Sequence, residues 1–356
     1  MRWVDHQALS AFAAAIYVAA GAPAEHGAIV ARHQVGANLA GHDSHGIRLL
    51  PAYVGAIERG HLVPTARPRV IAETSTTLFV SGGWGFGQVV SEWTMAACVE
   101  RARLAKVCVG VVREQAHVGR LAGYTLIAAR AGMIGMMLCD SGRAPKQVAP
   151  FGGRAARLGT NPISIAIPAD LDAPLVIDMA TSAAAFGKIE LARARGIPVP
   201  LGWLIDRAGR PSTDPSALAA GGAMLPLGGS EGYKGYALSV AVETLAALLP
   251  GLGFGLDPEG RHNDGAFMLV IDPTAFRPLE DFQADVAAFV GYLKATPPAA
   301  GFSEVLYPGE PEYRAEQERR GTGIPVDDPT WRQLMAVASR YGVTFPGPLR
   351  ASCLQR

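Results

Sequence analysis

Over residues 5–40 apolar positions recur every three to four residues; further along they alternate or run together in short blocks. The first texture predicts helices and the second strands. LSAFAAAIYVAA, ending near Gly21 and Pro23, reads as one helix. EHGAIVARHQVGANLA reads as a second, with Ile29, His33, Gly36 and Leu39 on roughly one face. A third short helix is predicted over 51–59. Strands are then predicted at 76–82, 107–112, 133–138, 163–168, 175–180 and 267–272. Helices are predicted at 89–106, 121–131 and 233–249, and acidic ones around 279–294 and 310–320. Interleaved strands and helices give an α+β (α/β layers) fold class. The most apolar stretch, 236–250, is interrupted by Glu243 and is shorter than the roughly 20 residues that cross a bilayer, so it reads as a buried helix.

Composition narrows the picture. In 356 residues, 49% are hydrophobic and 18% charged, enough apolar surface for a large core and too much for a disordered chain. Lys and Arg number 32 against 31 Asp and Glu, so no basic excess points to nucleic acid. Cys98, Cys108, Cys139 and Cys353 are scattered, without CxxC spacing, which suits a reducing compartment. MRWVDHQAL lacks the apolar stretch of a signal peptide, so the expectation is a cytoplasmic protein with no membrane partner.

No strand leads into GxGxxG, and GGWGFG (82–87) has the residues of that fingerprint in the wrong pattern. Polar chemistry is densest in GHDSHGIR (41–48). An imidazole there can exchange a proton with a substrate oxygen, tuned by Ser44 or Asp43. Alternatively His42, Asp43 and His45 are metal ligands, Ser44 is a nucleophile, or Asp43 and Ser44 only cap a helix end. His117 follows a strand, placed either for a cleft or to satisfy helix amides. The turns of 149–168, with Thr160 and Asn161, form either an anion-sized concavity or a plain loop. Asp178 at a strand end can accept from a ribose hydroxyl, and small residues follow it up to Lys188. Lys234, in GYKG, opposes the dipole of the helix it opens, a conflict that a bound phosphate or carboxylate would relieve and that a solvated lysine tolerates.

Taken together, GHDSHGI, PAY, AHVGRLAGY, APFGG, GTNP, DMATS, GIPVPLGW, GYKGYAL and YPGE, in that order from about residue 5 to 340, resemble the malate/L-lactate dehydrogenase-like (sulfolactate dehydrogenase-like) oxidoreductases. The resemblance implies a non-Rossmann NAD(P)-binding fold with a mostly antiparallel central sheet, an N-terminal helical part and a homodimer. It implies reversible hydride transfer between NAD or NADP and C2 of a 2-oxo/2-hydroxy acid, with a cyclic imino acid as the alternative substrate. A metal-dependent hydrolase using His42, Asp43 and His45 is the alternative of another class. By motif match, His45 is the proton donor and acceptor, Ser44 orients it, and His117 stands beside the nicotinamide as a second catalytic group. Arg48, Thr160 and Lys188 would hold substrate. His117, Gly119, Thr160, Asp178, Met179, Ala180, Lys234, Gly235, Pro308, Gly309 and Glu310 would line the cofactor, and no metal is implied. Position 188, acidic in the piperideine-2-carboxylate branch the resemblance brings in, is Lys188 here, which favours 2-oxo acids. The implied division is an N-terminal helical part (1–75) packing with the C-terminal segment, the start of a substrate and dimer domain (76–115), a cofactor-binding region (116–300) and a C-terminal helical segment (301–356).

Overall fold

The structure is a computed structural model that describes residues 1–140, 142, 145–172, 174–256 and 261–347. Cys353 and the end of the 301–356 segment lie outside these residues. The chain opens with a short strand, β1 (Arg2–Val4), and two helices, α1 (His6–Ala19) and α2 (Ala24–Leu39). Asp5 caps α1 by accepting from the Gln7 and Ala8 amides at 2.9 Å each. The face of α1 that turns inward is Leu9, Phe12, Ala13, Ile16 and Tyr17. The buried face of α2 is Val30, Ala31, Gln34, Val35 and Asn38, rotated from the expected one. The polar Gln34 and Asn38 turn inward because each finds a partner: Gln34 accepts from the buried Tyr17 hydroxyl at 2.9 Å. Ile29, His33 and Gly36 are left half-buried at the edge.

After α3 (Leu50–Glu58) come β2 (Arg69–Glu73), β3 (Thr77–Gly85), α4 (Gly87–Ala105), β4 (Val107–Gln115), α5 (Ala122–Arg130), β5 (Ile134–Cys139), β6 (Ile163–Ile167) and β7 (Leu175–Met179). Then follow α6 (Phe186–Arg195), β8 (Leu204–Ile205), β9 (Pro211–Ser212), β10 (Ala223–Met224) and α7 (Tyr233–Glu243), which continues as a π-helical turn over Thr244–Leu248. The chain ends with β11 (Ala266–Ile271), α8 (Leu279–Lys294), α9 (Glu310–Thr322), β12 (Ile324–Val326) and α10 (Asp328–Arg340).

Seven strands form the central sheet in the order β2-β3-β4-β11-β5-β6-β7. The sheet is mixed: β3 and β4 run parallel, and the other neighbours antiparallel. The parallel pair follows from α4, which carries the chain back between β3 and β4. Strand alternation sends Met137, Cys139, Met268 and Val270 to one face, under α4 and α5. Met136, Leu138 and Phe267 go to the other, under Val242 and Ala246. A separate core joins α1, α2 and α3 to α10, and β1 pairs with β12 beside it.

The helix expected to be buried over 233–249 is buried on one face only. Leu238, Val240, Leu248 and Leu249 are exposed. Its inner face is small or polar, Gly235, Ser239, Val242 and Glu243, because it lies close against backbone and holds a polar cluster. There Glu243 pairs with Lys146 at 3.1 Å and accepts from Asn161 Nδ2 at 2.9 Å. Among the described residues no helix is long and apolar enough to cross a membrane.

Candidate active site

The 41–49 loop is shaped by contacts that reach far along the chain. Asn38, in the last turn of α2, donates from Nδ2 to Asp43 at 2.6 Å and accepts from the Ile47 amide at 2.8 Å. Arg319 of α9 donates to the two Asp43 oxygens at 2.8 and 3.2 Å and also to the Asn38 carbonyl. Held at both ends, residues 43–45 form one 3-10 turn, which presents His45. Ser44 Oγ lies 3.0 Å from His45 Nδ1, so neighbouring residues do orient one another here. Gly187, in the first turn of α6, packs directly on this turn: a Cβ there would stand 2.6 Å from Ser44 Cβ and 3.7 Å from an Arg48 nitrogen. Arg48 and Lys188 are both exposed, on the two segments that meet at this contact.

His117 arrives from the end of β4. Its Nδ1 is 2.7 Å from the Tyr53 hydroxyl, which in turn accepts from Gln88 Nε2 at 2.8 Å. The His117 ring stacks on His45, centroids 6.0 Å apart and planes 13° from parallel. On another side the ring of His262 lies 5.8 Å away. His262 Nε2 contacts Asp264 Oδ1 at 2.5 Å, and Asp264 Oδ2 accepts from the Val118 amide at 3.1 Å.

The electrostatics divide these imidazoles. Burial pushes His45 down to about 3, helped by the positive charges of His117, His42, Arg120 and Arg48. Burial also lowers His117; the Asp264 carboxylate opposes that shift and His262 reinforces it. At His262 burial disfavours the charge, but Asp264 outweighs it and raises the imidazole above its ordinary value. Near neutral pH, His45 and His117 are therefore neutral, each with a nitrogen able to accept a proton.

Asp178 closes a third side. Its Oδ2 lies 3.3 Å from Arg120 Nε and accepts from the Ala122 amide at 3.1 Å, while burial pushes its carboxyl up. Asp178 is thus already engaged by the protein at one oxygen. Opposite it, His42 pairs with Glu312 at 3.1 Å. Met179 is partly exposed, and Thr160 is half-buried, its carbonyl accepting from the Thr181 amide at 3.0 Å.

Of the residues predicted from sequence, Ser44, His45, Arg48 and His117 share one site with Asp178 at its edge. The metal-site alternative needed His42, Asp43 and His45 to converge, but they turn to Glu312, to Arg319 and to Ser44. Among the described residues no three His, Cys, Asp or Glu side chains are placed to hold a metal ion. Lys234 is exposed and lies 3.6 Å from Glu231, which relieves the conflict with the helix dipole without a ligand. Gly235 has no side chain for another reason than cofactor contact: a Cβ there would stand 2.3 Å from the Leu227 carbonyl. In the 308–310 loop, Pro308 accepts from the Val176 amide at 3.0 Å. Glu310 is taken up by Lys294 and Arg314, each at 2.6 Å. The carboxylate that α9 sends to the site is Glu312.

Sequence reasoning assigned no role to Arg120, Tyr53, His262, Asp264 or Arg319. Arg120 and Tyr53 stood inside quoted motifs (AHVGR and PAY). The RHND run just before a strand, at 261–264, was the available signal for the other site pair.

The comparisons with known proteins point one way. The family model described as malate/L-lactate dehydrogenase matches residues 4–335. The chain is 37% identical over 331 residues to the L-lactate dehydrogenase of Cupriavidus necator, covering 91% of this chain and 93% of that one. It is 33% identical over 359 residues to hydroxycarboxylate dehydrogenase B of Escherichia coli, covering 99% and 97%. The structure of malate dehydrogenase from Entamoeba histolytica superposes with a TM-score of 0.93 at 31% identity, covering 97% and 99%.

Proposed function

The chain belongs to the malate/L-lactate dehydrogenase family and is a hydroxy-acid dehydrogenase; from that premise we propose that it exchanges a hydride between NAD or NADP and C2 of a small 2-hydroxy or 2-oxo carboxylic acid. The observation that carries this reading is a half-buried, neutral His45 held by Ser44 and stacked on His117, with Arg48 and Arg120 close enough to act on its charge.

The wall of His117, Gly119, Thr160, Asp178, Met179 and Ala180 suits a nicotinamide cofactor. It combines the His117 ring and the exposed apolar Met179 side chain, with the Arg120 guanidinium beside Asp178. Lys234 is an exposed cation for its phosphates, with Gly235 beside it and Pro308, Gly309 and Glu310 as the second stretch proposed to line the cofactor. When bound, the nicotinamide supplies or takes the hydride. The chain does the rest. Ser44 occupies His45 Nδ1, so Nε2 is the nitrogen that takes the hydroxyl proton in oxidation and returns it in reduction. Arg48 anchors the substrate carboxylate, with Lys188 as a second cation. A carboxylate there cancels part of the positive field that depresses His45, so substrate binding itself raises the proton affinity of the ring. The free buried thiols Cys98, Cys108 and Cys139 suit the cytoplasm, and the exposed apolar face of α7 suits a homodimer.

The test is a panel of 2-oxo acids and cyclic imino acids with NADH and with NADPH, followed by loss of the reduced-nicotinamide absorbance. Turnover is expected with 2-oxo acids. Absence of turnover with every 2-oxo acid, or turnover with cyclic imines alone, overturns the reading.

A further inference from the structure

The His117 ring has two imidazole neighbours, His45 and His262, with ring centroids 6.0 and 5.8 Å away. His45 and His117 have roles in the reaction as proposed. His262 comes from the segment that leads into β11. Behind it is Asp264, buried within the fold. Asp264 makes two contacts with different consequences. One oxygen meets His262 at 2.5 Å, and the other accepts at 3.1 Å from the amide of Val118, the residue after His117. A single carboxylate therefore fixes both the backbone that carries His117 and the ring that faces it. Tyr53 fixes the remaining side, at Nδ1.

We propose that His262 and Asp264 are a positioning pair for the hydride-transfer site: Asp264 holds the backbone that carries His117, and His262, held by the same carboxylate, faces the His117 ring and offsets the carboxylate's charge there. This rests on the dehydrogenase reading for its purpose, but not for its measurement.

The charges around the pair support this division. Asp264 lies in the interior, and among the described residues its ion-pair partner is His262, not a lysine or arginine. A buried carboxylate that stays ionised needs a cation, and its carboxyl is held low by the charge and contact of His262, with His117 and the Val118 amide adding to the effect, against burial. His262 is also faced by Asp140, which favours its charge, and by Lys146, which opposes it. Asp140 is itself pushed well up by burial and by Asp264 and Glu243, and Asp264 is the carboxylate in direct contact with His262. Arg261, next in sequence, is turned away: it donates to the Gly60 carbonyl at 2.9 Å and lies over the Trp84 ring. On the His117 side the facing groups are His45, Tyr53, His262 and Asp264.

The two members of the pair push His117 in opposite directions, which gives the test its signature. In His262→Gln the cation is gone and the Asp264 charge acts on His117 uncompensated, so the His117 titration moves to higher pH. In Asp264→Asn the anion is gone, and an amide oxygen still accepts from Val118. His262 then loses its proton, and the His117 titration does not rise. Histidine titrations by NMR on 15N-histidine-labelled full-length enzyme, without substrate, read both effects; loss of one signal in His117→Gln assigns it. The expected result is an upward shift of the His117 midpoint by about one unit in His262→Gln and no upward shift in Asp264→Asn. In parallel, the acidic limb of kcat/KM for 2-hydroxy-acid oxidation should move up with His262→Gln, since the neutral ring is the active form. Asp264→Asn, which keeps the Val118 contact and loses the carboxylate that holds His262, should lower kcat about tenfold with little change in KM. An unchanged His117 midpoint in His262→Gln, or upward shifts of equal size in both variants, overturns the proposal. Should Asp264→Asn fail to fold, His262→Gln, whose side chain is 38% exposed, decides it alone. Failure of the dehydrogenase reading would show instead as no turnover by the wild-type enzyme, with the NMR titrations unaffected.

Discussion

The two sides of the predicted site are built in opposite ways. Around His45, partners come from far along the chain: Arg319 holds Asp43 across 276 residues, Tyr53 holds His117 across 64, and Asp264 holds the Val118 amide across 146. Around Lys234 and Glu310, much of the charge is met by near neighbours, Glu231 three residues before the lysine and Arg314 four residues after the glutamate. Contacts between distant segments exist only in the folded chain, so they fix geometry. Exposed pairs a few residues apart contribute roughly 0–1 kcal/mol and fix little. The imidazole side is thus preorganised for chemistry, and the Lys234 side is adjustable enough to grip a ligand without defining the reaction.

That contrast is open to attack at several points. Replacing His45 by Ala should reduce turnover by about 100-fold or more while leaving cofactor affinity nearly unchanged. Steady-state rates and a cofactor titration check it, and a variant of ordinary turnover would remove the imidazole from the mechanism. Asp43→Ala removes the anion between Asn38 and Arg319 and leaves a half-buried guanidinium without its carboxylate. We expect about 1–3 kcal/mol of lost stability, read by denaturant melts, and about a tenfold fall in kcat. If stability drops while kcat holds, the loop is a structural clamp only.

A smaller effect concerns acid. The His45 ring protonates near pH 3 in the folded chain and near 6.5 in the unfolded one. Between those values the unfolded chain binds the extra proton, so this residue makes the protein less stable as pH falls through that window. Going from pH 7.5 to pH 5, wild type should lose about 1–2 kcal/mol more than His45→Gln. Equal losses in both would show that the ring is solvated. The smallest change is expected for Lys234→Ala: the cofactor dissociation constant rises several-fold and the melting temperature stays put. An unaltered dissociation constant would take the lysine out of the cofactor site and widen the difference between the two sides.

Much of the architecture could be read from periodicity. The predicted strands at 133–138, 163–168, 175–180 and 267–272 correspond to β5, β6, β7 and β11 within a residue or so. They are legible as short, nearly continuous apolar runs because both faces of the sheet are covered. The short strands β1, β8, β9, β10 and β12 escaped, being two or three residues long with no room for a period. β2 escaped because its burial is broken and a bulge interrupts its pairing between Val70 and Ala72. Helix α10 was missed although its apolar positions, Trp331, Leu334, Val337 and Ala338, are helically spaced.

At the site, the local cluster of Ser44, His45 and Arg48 was legible because its members are adjacent in sequence, and the motif order gave His117. The sequence by itself determined which side chains were available: two imidazoles in one loop, a third after β4, and small residues where backbones must meet. Only the tertiary structure decided which of them act together. His262, Asp264 and Arg319 are remote from 41–48 along the chain, and a through-space interaction leaves no mark in spacing. Likewise only folding could set the charge states, since the burial that strips His45 of its proton is a property of the assembled layers and not of any segment within them.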